Sequence, residues 1–230
     1  MASTLSVAAL GLACTDSSEF RTVPDRTPPA GRALPKRLPA SRGSVRYVAR
    51  RGSDRNPGTR GRPWLTIQHA LDTLLPGQTA LVREGTYAQS LVMHRAGTAK
   101  APMTVRAYPG ERPVVRPGGS GSMDYPLRIT AGAAYFRFAG FLVEGAPLHT
   151  TMNIWVSDGQ RTRPPAPTHH IEISGCEIRS GTGSGLLVSP NTQAVQLLGN
   201  RVHDNGDGSR QHQGIYFQGQ DGLLANNLVY

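Results

Sequence analysis

Cysteine is nearly absent: Cys14 and Cys176 are the only two in 230 residues. That excludes a disulfide framework and a Cys-based metal site, and Cys176 has no intramolecular partner once Cys14 is lipidated or removed. Aromatic residues are scarce at 6%, and lysine is reduced to Lys36 and Lys100. No apolar run is long enough to span a bilayer. Gly and Pro, by contrast, total 45 residues, which suits a turn-rich β architecture better than a helical bundle. The 38% hydrophobic content is too high for a chain without a core. One domain with a sizeable core, plus a tail, is the expectation at this length.

The formal net charge of +10 invites a nucleic-acid reading, but its distribution argues otherwise. Residues 1–62 hold 12 Lys and Arg against 4 Asp and Glu, and the remainder holds 13 against 11. The basicity sits in the tail, and no aromatic and basic interleaving runs through the near-neutral remainder, so no nucleic-acid partner is expected. Residues 20–44 interleave Arg with Pro, Ala, Gly and Ser without apolar period. They read as a disordered linker, either a solvated spacer or a contact with an anionic envelope or polysaccharide. Ahead of them, residues 1–19 run apolar from Leu5 to Ala13 and then turn polar, as the h-region of a signal peptide does. No Lys or Arg precedes that run, which points to a misassigned start codon. Gly11-Leu12-Ala13-Cys14 resembles a bacterial lipoprotein cleavage site with Gly11 where Leu is usual. Cys14 is therefore the lipidation candidate, and the chain is expected to be secreted or held at the cell surface, touching membrane only through that anchor.

Folding is expected over 45–230, with a cap and first coils at 45–115 and regular coils from 116. Val45 to Ala49 is β-rich, and Gly52 to Gly58 is a dense turn cluster. Pro63 opens a predicted helix whose apolar face holds Trp64, Ile67, Leu71, Leu74 and Leu75, before Pro76-Gly77 stops it. Strands are predicted at Thr79 to Val82 and Ser90 to Met93, with a turn at Glu84-Gly85-Thr86.

Within residues 47–87 the ordered series Gly-Ser-Asp, Asn-Pro-Gly-Thr, Pro-Trp-x-Thr-Ile-Gln-x-Ala-Leu, Pro-Gly-x-Thr and Arg-Glu-Gly-Thr-Tyr resembles the N-terminal segment of bacterial right-handed parallel β-helix proteins of the pectate-lyase-like superfamily. The resemblance implies a helix that caps the open end of a solenoid. The physics agrees, because a first coil exposes strand edges and an apolar cross-section.

The second half repeats on its own terms. His170 to Ile178 aligns with Ala194 to Val202, and more loosely with Gly222 to Val229, placing Cys176, Asn200 and Asn227 at one position 24 and 27 residues apart. Gly185 to Val188 and Gly214 to Phe217 supply a third strand per period, and Phe136 to Glu144 is an earlier coil. An all-β, three-strand parallel β-helix follows. Asn200 and Asn227 are read as corner residues that tolerate left-handed backbone and ladder their amides, and Cys176 as a buried, unreactive group at the same corner. The chain reaches Tyr230 inside a coil, so the reading frame is expected to continue and the groove with it.

The densest polar constellation is the turn His203 to His212, longer than the equivalent turn after Ile178. Enlarged turns on a regular scaffold carry function, although Asn-Gly and Asp-Gly also form ordinary turns. The resemblance implies an extracellular polysaccharide as partner and a lyase acting on uronate polymers, which must neutralise a carboxylate and hold a base near its α proton. The catalytic candidates are His203, His212 and Asp207; Asp204 and Asp207 are candidate Ca2+ ligands, and Arg179, one coil from His203, a candidate for substrate carboxylate. Trp155 and Tyr216 are candidates for stacking on sugar rings. Strand alternation points Tyr216 outward, whereas core packing is the simpler reading of Trp155 and Phe217. A Lys base on a coil face and the Asp-Pro-His-Asp motif of related epimerases are both missing, which counts against the calcium-dependent mechanism. The alternatives are a non-catalytic glycan-binding or surface protein, and a glycoside hydrolase drawing on Glu172, Glu177, Asp204 or Asp207. His169-His170 lacks a third ligand at suitable spacing and reads as a loop feature. A monomer is expected.

Overall fold

The computed structural model describes residues 37–118, 125–130, 132–145, 152–157, 167–208 and 212–230. The signal-like segment, Cys14 and the linker as far as residue 36 lie outside these. Among the described residues, eighteen strands and one helix wind into a parallel β-helix with three sheets. Sheet A stacks β1 (Val45–Val48), β2 (Thr79–Val82), β5 (Met103–Ala107), β8 (Ala134–Ala139), β11 (His169–Ser174), β14 (Gln196–Leu198) and β17 (Leu223–Ala225). Sheet B stacks β3 (Thr86–Ala88), β6 (Val114–Arg116), β9 (Leu142–Glu144), β12 (Glu177–Arg179), β15 (Arg201–His203) and β18 (Leu228–Val229). Sheet C stacks β4 (Leu91–Met93), β7 (Leu127–Ile129), β10 (Met152–Val156), β13 (Ser184–Val188) and β16 (Ile215–Phe217).

The core is three columns of apolar side chains running along the axis. Val105, Phe138, Ile173 and Leu197 stand in register on sheet A. Tyr87, Val115, Val143, Ile178 and Val202 do so on sheet B, and Leu91, Leu127, Ile154 and Leu186 on sheet C. All thirteen are fully buried, each contributing about 1.5–3 kcal/mol for the larger aliphatics and Phe. Phe138 and Phe141 stack at 4.1 Å around one corner. The repeat offsets of 24 and 27 residues read from the sequence are the pairing registers Ile173 to Leu197 and Leu197 to Leu224.

The last four corners between sheets A and B are two residues each, and the expected ladder occupies the last three. Asn200 Nδ2 donates to Asn227 Oδ1 (2.9 Å) and to the Ile173 carbonyl (3.0 Å), while Asn200 Oδ1 accepts from the Cys176 amide (3.0 Å). The left-handed residue at each of these corners is the one before: Gly175, Gly199 and Asn226 have φ of 59°, 61° and 56°. The ladder Asn therefore keeps ordinary backbone and spends its side chain on the neighbouring coils. Cys176 is buried, and burial pushes its thiol up to about 11, consistent with an inert packing role.

Three expectations change. The helix, α1, runs only over Ile67–Thr73, with Thr66 as its N-cap. Asp54 fixes that start, accepting from the Leu65 and Thr66 amides and the Thr66 hydroxyl. Trp64 stands outside the helix, bridged to Val48, with its indole against Gly58, whose φ of 73° and lack of a Cβ make the room; Leu75 is exposed. Second, residues 37–44, assigned to the linker, pack on sheet A: Leu38 is buried, its carbonyl accepts from Arg137 Nη2 (2.7 Å), and Ser41 Oγ donates to the Pro102 carbonyl (2.7 Å). These contacts come from residues far away in sequence, so no local pattern foretells them. Third, Trp155 points outward from β10 and is only half-buried, because its inward neighbours are Ile154 and Val156 on either side.

Candidate functional site

Corner length differs by side of the solenoid. The last four A-to-B corners are two residues each, whereas the segments bordering sheet C include 94–102, 117–126, 145–151, 157–168 and 204–214. The outer face of sheet C is thus the face with long connections along both sides, the arrangement in which binding residues are usually grafted on a regular scaffold.

That face carries one register row along the axis: Val92, Arg128, Trp155, Leu187 and Tyr216. Alternation puts their neighbours into the core, so each side chain in the row faces out. Trp155 donates from Nε1 to Ser189 Oγ (3.0 Å) and lies 5.3 Å from the Tyr125 ring. Tyr216 is 37% exposed, and its hydroxyl accepts from Gln218 Nε2 (3.0 Å). Arg128 Nε is buried without a hydrogen-bond partner among the described residues. A cation and two aromatic rings spaced by coil steps of ~4.8 Å suit an extended sugar chain bearing carboxylates.

The enlarged turn separates its two histidines chemically. Pairing offsets grow from 24 residues at Arg179 and His203 to 29 at Leu186 and Ile215, a five-residue insertion between them. His203 is 6% exposed, with Nε2 3.1 Å from Glu177 Oε1 and Nδ1 2.7 Å from Asp204 Oδ2. Both nitrogens are engaged by carboxylates and Tyr230 stacks on the ring at 5.1 Å, so His203 is built into a charge network rather than presented to a substrate. His212 differs: it is only part-buried, and Asp207 Oδ1 lies 2.8 Å from Nδ1, the contact by which a carboxylate orients an acid–base imidazole. Gln213, the next residue, accepts at its carbonyl from the Gly185 amide (3.1 Å) where β13 begins, which puts the Asp207–His212 pair at the rim of sheet C.

Arg179, expected at the substrate, belongs to the sheet B network with His203. Its Nη2 lies 3.2 Å from Glu144 Oε1 and its Nη1 3.7 Å from Glu177 Oε1, and Arg112 also pairs with Glu177. Burial alone would raise the Glu177 pKa, but the His203 hydrogen bond and the charges of Arg112 and Arg179 hold it below the usual carboxylate value. Sequence reasoning missed Arg112, Glu144 and Tyr230 here, because the network joins side chains from different coils that no periodic pattern links. Asp204 and Asp207 do not converge: each faces a different histidine, and no group of three His, Cys, Asp or Glu is arranged to hold a metal ion among the described residues. The hydrolase carboxylates Glu172 and Glu177 stand on different sheets, each in its own ion pairs. His169 and His170 face each other through Nδ1 at 2.9 Å beside Tyr135, and burial lowers both pKa values.

Residues 46–226 match the model of the Pel9A-like, right-handed β-helix region. An uncharacterized protein of Bacillus subtilis strain 168, YwoF, is 36% identical over 83 residues, 36% of this chain and 18% of its own. Pectate lyase PEL9 of Emericella nidulans is 37% identical over 87 residues, 35% of this chain and 21% of that enzyme. The aligned stretch thus spans only about a fifth of these relatives' length. Among solved structures, the GH136 lacto-N-biosidase from Eubacterium ramulus superposes with a TM-score of 0.58 at 16% identity, over 80% of this chain and 40% of that one. That likeness is one of fold.

Proposed function

The chain belongs to the Pel9A-like right-handed β-helix family, and from that premise we propose that it is an exported protein that cleaves an acidic, uronate-containing polysaccharide by β-elimination on the outer face of sheet C. Fold membership alone does not carry a reaction. The observation that supports this one is the row Arg128, Trp155 and Tyr216 beside the Asp207–His212 pair. Trp155 and Tyr216 stack on sugar rings, and Arg128, three strand steps from Tyr216 along the row, holds the carboxylate of a uronate further along the chain, while the reacting uronate gives up its α proton at the rim of the sheet. His212, oriented by Asp207, accepts that proton. The electron pair forms a carbon–carbon double bond conjugated with the carboxylate, the glycosidic C–O bond breaks, and the departing oxygen takes a proton from solvent water.

The test is to incubate the protein with a panel of uronate polymers and follow the ultraviolet absorbance of the conjugated product. His212→Ala should slow product formation by about 10²–10⁴-fold at an unchanged melting temperature, and Arg128→Gln should raise KM. Retention of the polymers without unsaturated product would leave a glycan-binding protein on the same face.

A further inference from the structure

A second face of the solenoid carries a groove that the sheet C site does not use. It measures about 920 Å3 and runs over sheet A, with residues 37–41 as one wall and the turn Tyr108 to Glu111 as the other. Its floor is the outward row Leu81, Arg106, Ala139 and Ser174, in register from β2 to β11. The three strand steps cover roughly 14 Å at ~4.8 Å each, long enough for an oligosaccharide. Every charged side chain lining the groove has an ion-pair partner except one. Glu172, fully buried, is held by Arg137 Nη2 and Arg37 Nη2, both at 3.0 Å, and Glu111 pairs with Arg83 at 2.7 Å. Arg106 is exposed on the floor, and no ion-pair or hydrogen-bond partner reaches it among the described residues.

We propose that this groove is a second, non-catalytic site for a uronate chain, with Arg106 receiving a carboxylate. A guanidinium without a partner in a concave groove is the arrangement that binds a planar anion through two parallel hydrogen bonds. A peptide fits less well, because β2, β5, β8 and β11 are each paired on both sides and offer no free strand edge to extend. The wall is anchored: the Arg137 donation to the Leu38 carbonyl and the Arg37–Glu172 pair fasten the segment that forms it. The proposal rests on the preceding reading only for the chemistry of its ligand. A polymer held at both faces would be retained through the effective concentration that the first contact creates for the second.

Calorimetry on the full chain with a trigalacturonate, too short to bridge two faces, separates the sites. Two binding events are expected. Arg106→Gln should weaken one of them about tenfold, and Ala139→Trp, which fills the floor without changing charge, should abolish the same one. Both variants should keep the wild-type melting temperature and the wild-type elimination rate on the trimer. Wild-type binding by both variants, or a single event lost only in Tyr216→Ala, would overturn the groove and leave the catalytic reading standing. An event lost in Arg106→Gln from a chain that eliminates no polymer would overturn the catalytic reading and keep the groove.

Discussion

The two kinds of corner in this solenoid are built on opposite terms. Between sheets A and B each of the last four corners is two residues long, and Asn200 and Asn227 satisfy amides and carbonyls of neighbouring coils there. Along sheet C the connections range from 89–90 to 157–168, and coil-to-coil equivalence ends at the strand. A stacked coil must repeat its geometry at some corner to keep register, and once one corner does so the others are released to vary. Stability is concentrated at the first kind, and candidate chemistry at the second.

The largest effect should come from erasing that difference. Deleting residues 207–211 makes the turn after His203 the same length as the turn after Arg179. It removes Asp207 and leaves His212 without its orienting carboxylate. Elimination should fall by about a hundredfold or more, while stability stays within about 1 kcal/mol because shortening a loop changes closure entropy only slightly. Product absorbance and a thermal melt on the same variant check both halves.

The converse change is Asn200→Leu at a tight corner. It strips partners from the Cys176 amide and the Ile173 carbonyl at once. A loss of about 2–4 kcal/mol is expected, since each buried group left unpaired costs about 1–3 kcal/mol. Denaturant unfolding measures it, and activity per folded molecule should be unaltered.

Glu172 tests whether the wall on sheet A belongs to the stable part. Burial alone would raise its pKa, but Arg137, then Arg37 and Ser174, hold it below the ordinary carboxylate value. A depressed folded-state pKa contributes stability above the unfolded pKa of about 4.3 and loses it as pH falls through the folded value. Acid unfolding of the wild type should therefore steepen below about pH 4.3, and Glu172→Gln should flatten that limb while costing about 1–3 kcal/mol near neutrality. Equal acid limbs in the two proteins would sever Glu172 from the wall's stability.

What the sequence disclosed follows the same division. The Asn column and the strand offsets were legible because a corner that must recur leaves its residue at a fixed period. The cap helix was legible as a helix but not in extent: Asp54 acts on Thr66 from twelve residues away, and no periodicity encodes that. Nothing near Arg37 announces Glu172, 135 residues on, so the segment read as linker. Arg179 and His203 were correctly placed one above the other, yet their solvent access depends on Arg112, Glu144 and Tyr230, which sit in other coils. Trp155 was ambiguous from sequence because a five-residue strand between long connections does not declare which alternate residues face inward.

The smallest expected effect is the one that best discriminates catalysis from binding on sheet C. Tyr216 packs no core atoms that its neighbours Ile215 and Phe217 do not already supply, so Tyr216→Ala should leave the melting temperature unmoved. If its ring stacks on a sugar, losing about 0.5–1.5 kcal/mol of aromatic contact should raise KM roughly threefold to tenfold at unchanged kcat. A drop in kcat with KM constant would instead put the ring against the reacting sugar in the transition state. No change in either would remove this end of the row from the substrate path, and leave Arg128 and Trp155 to define its length.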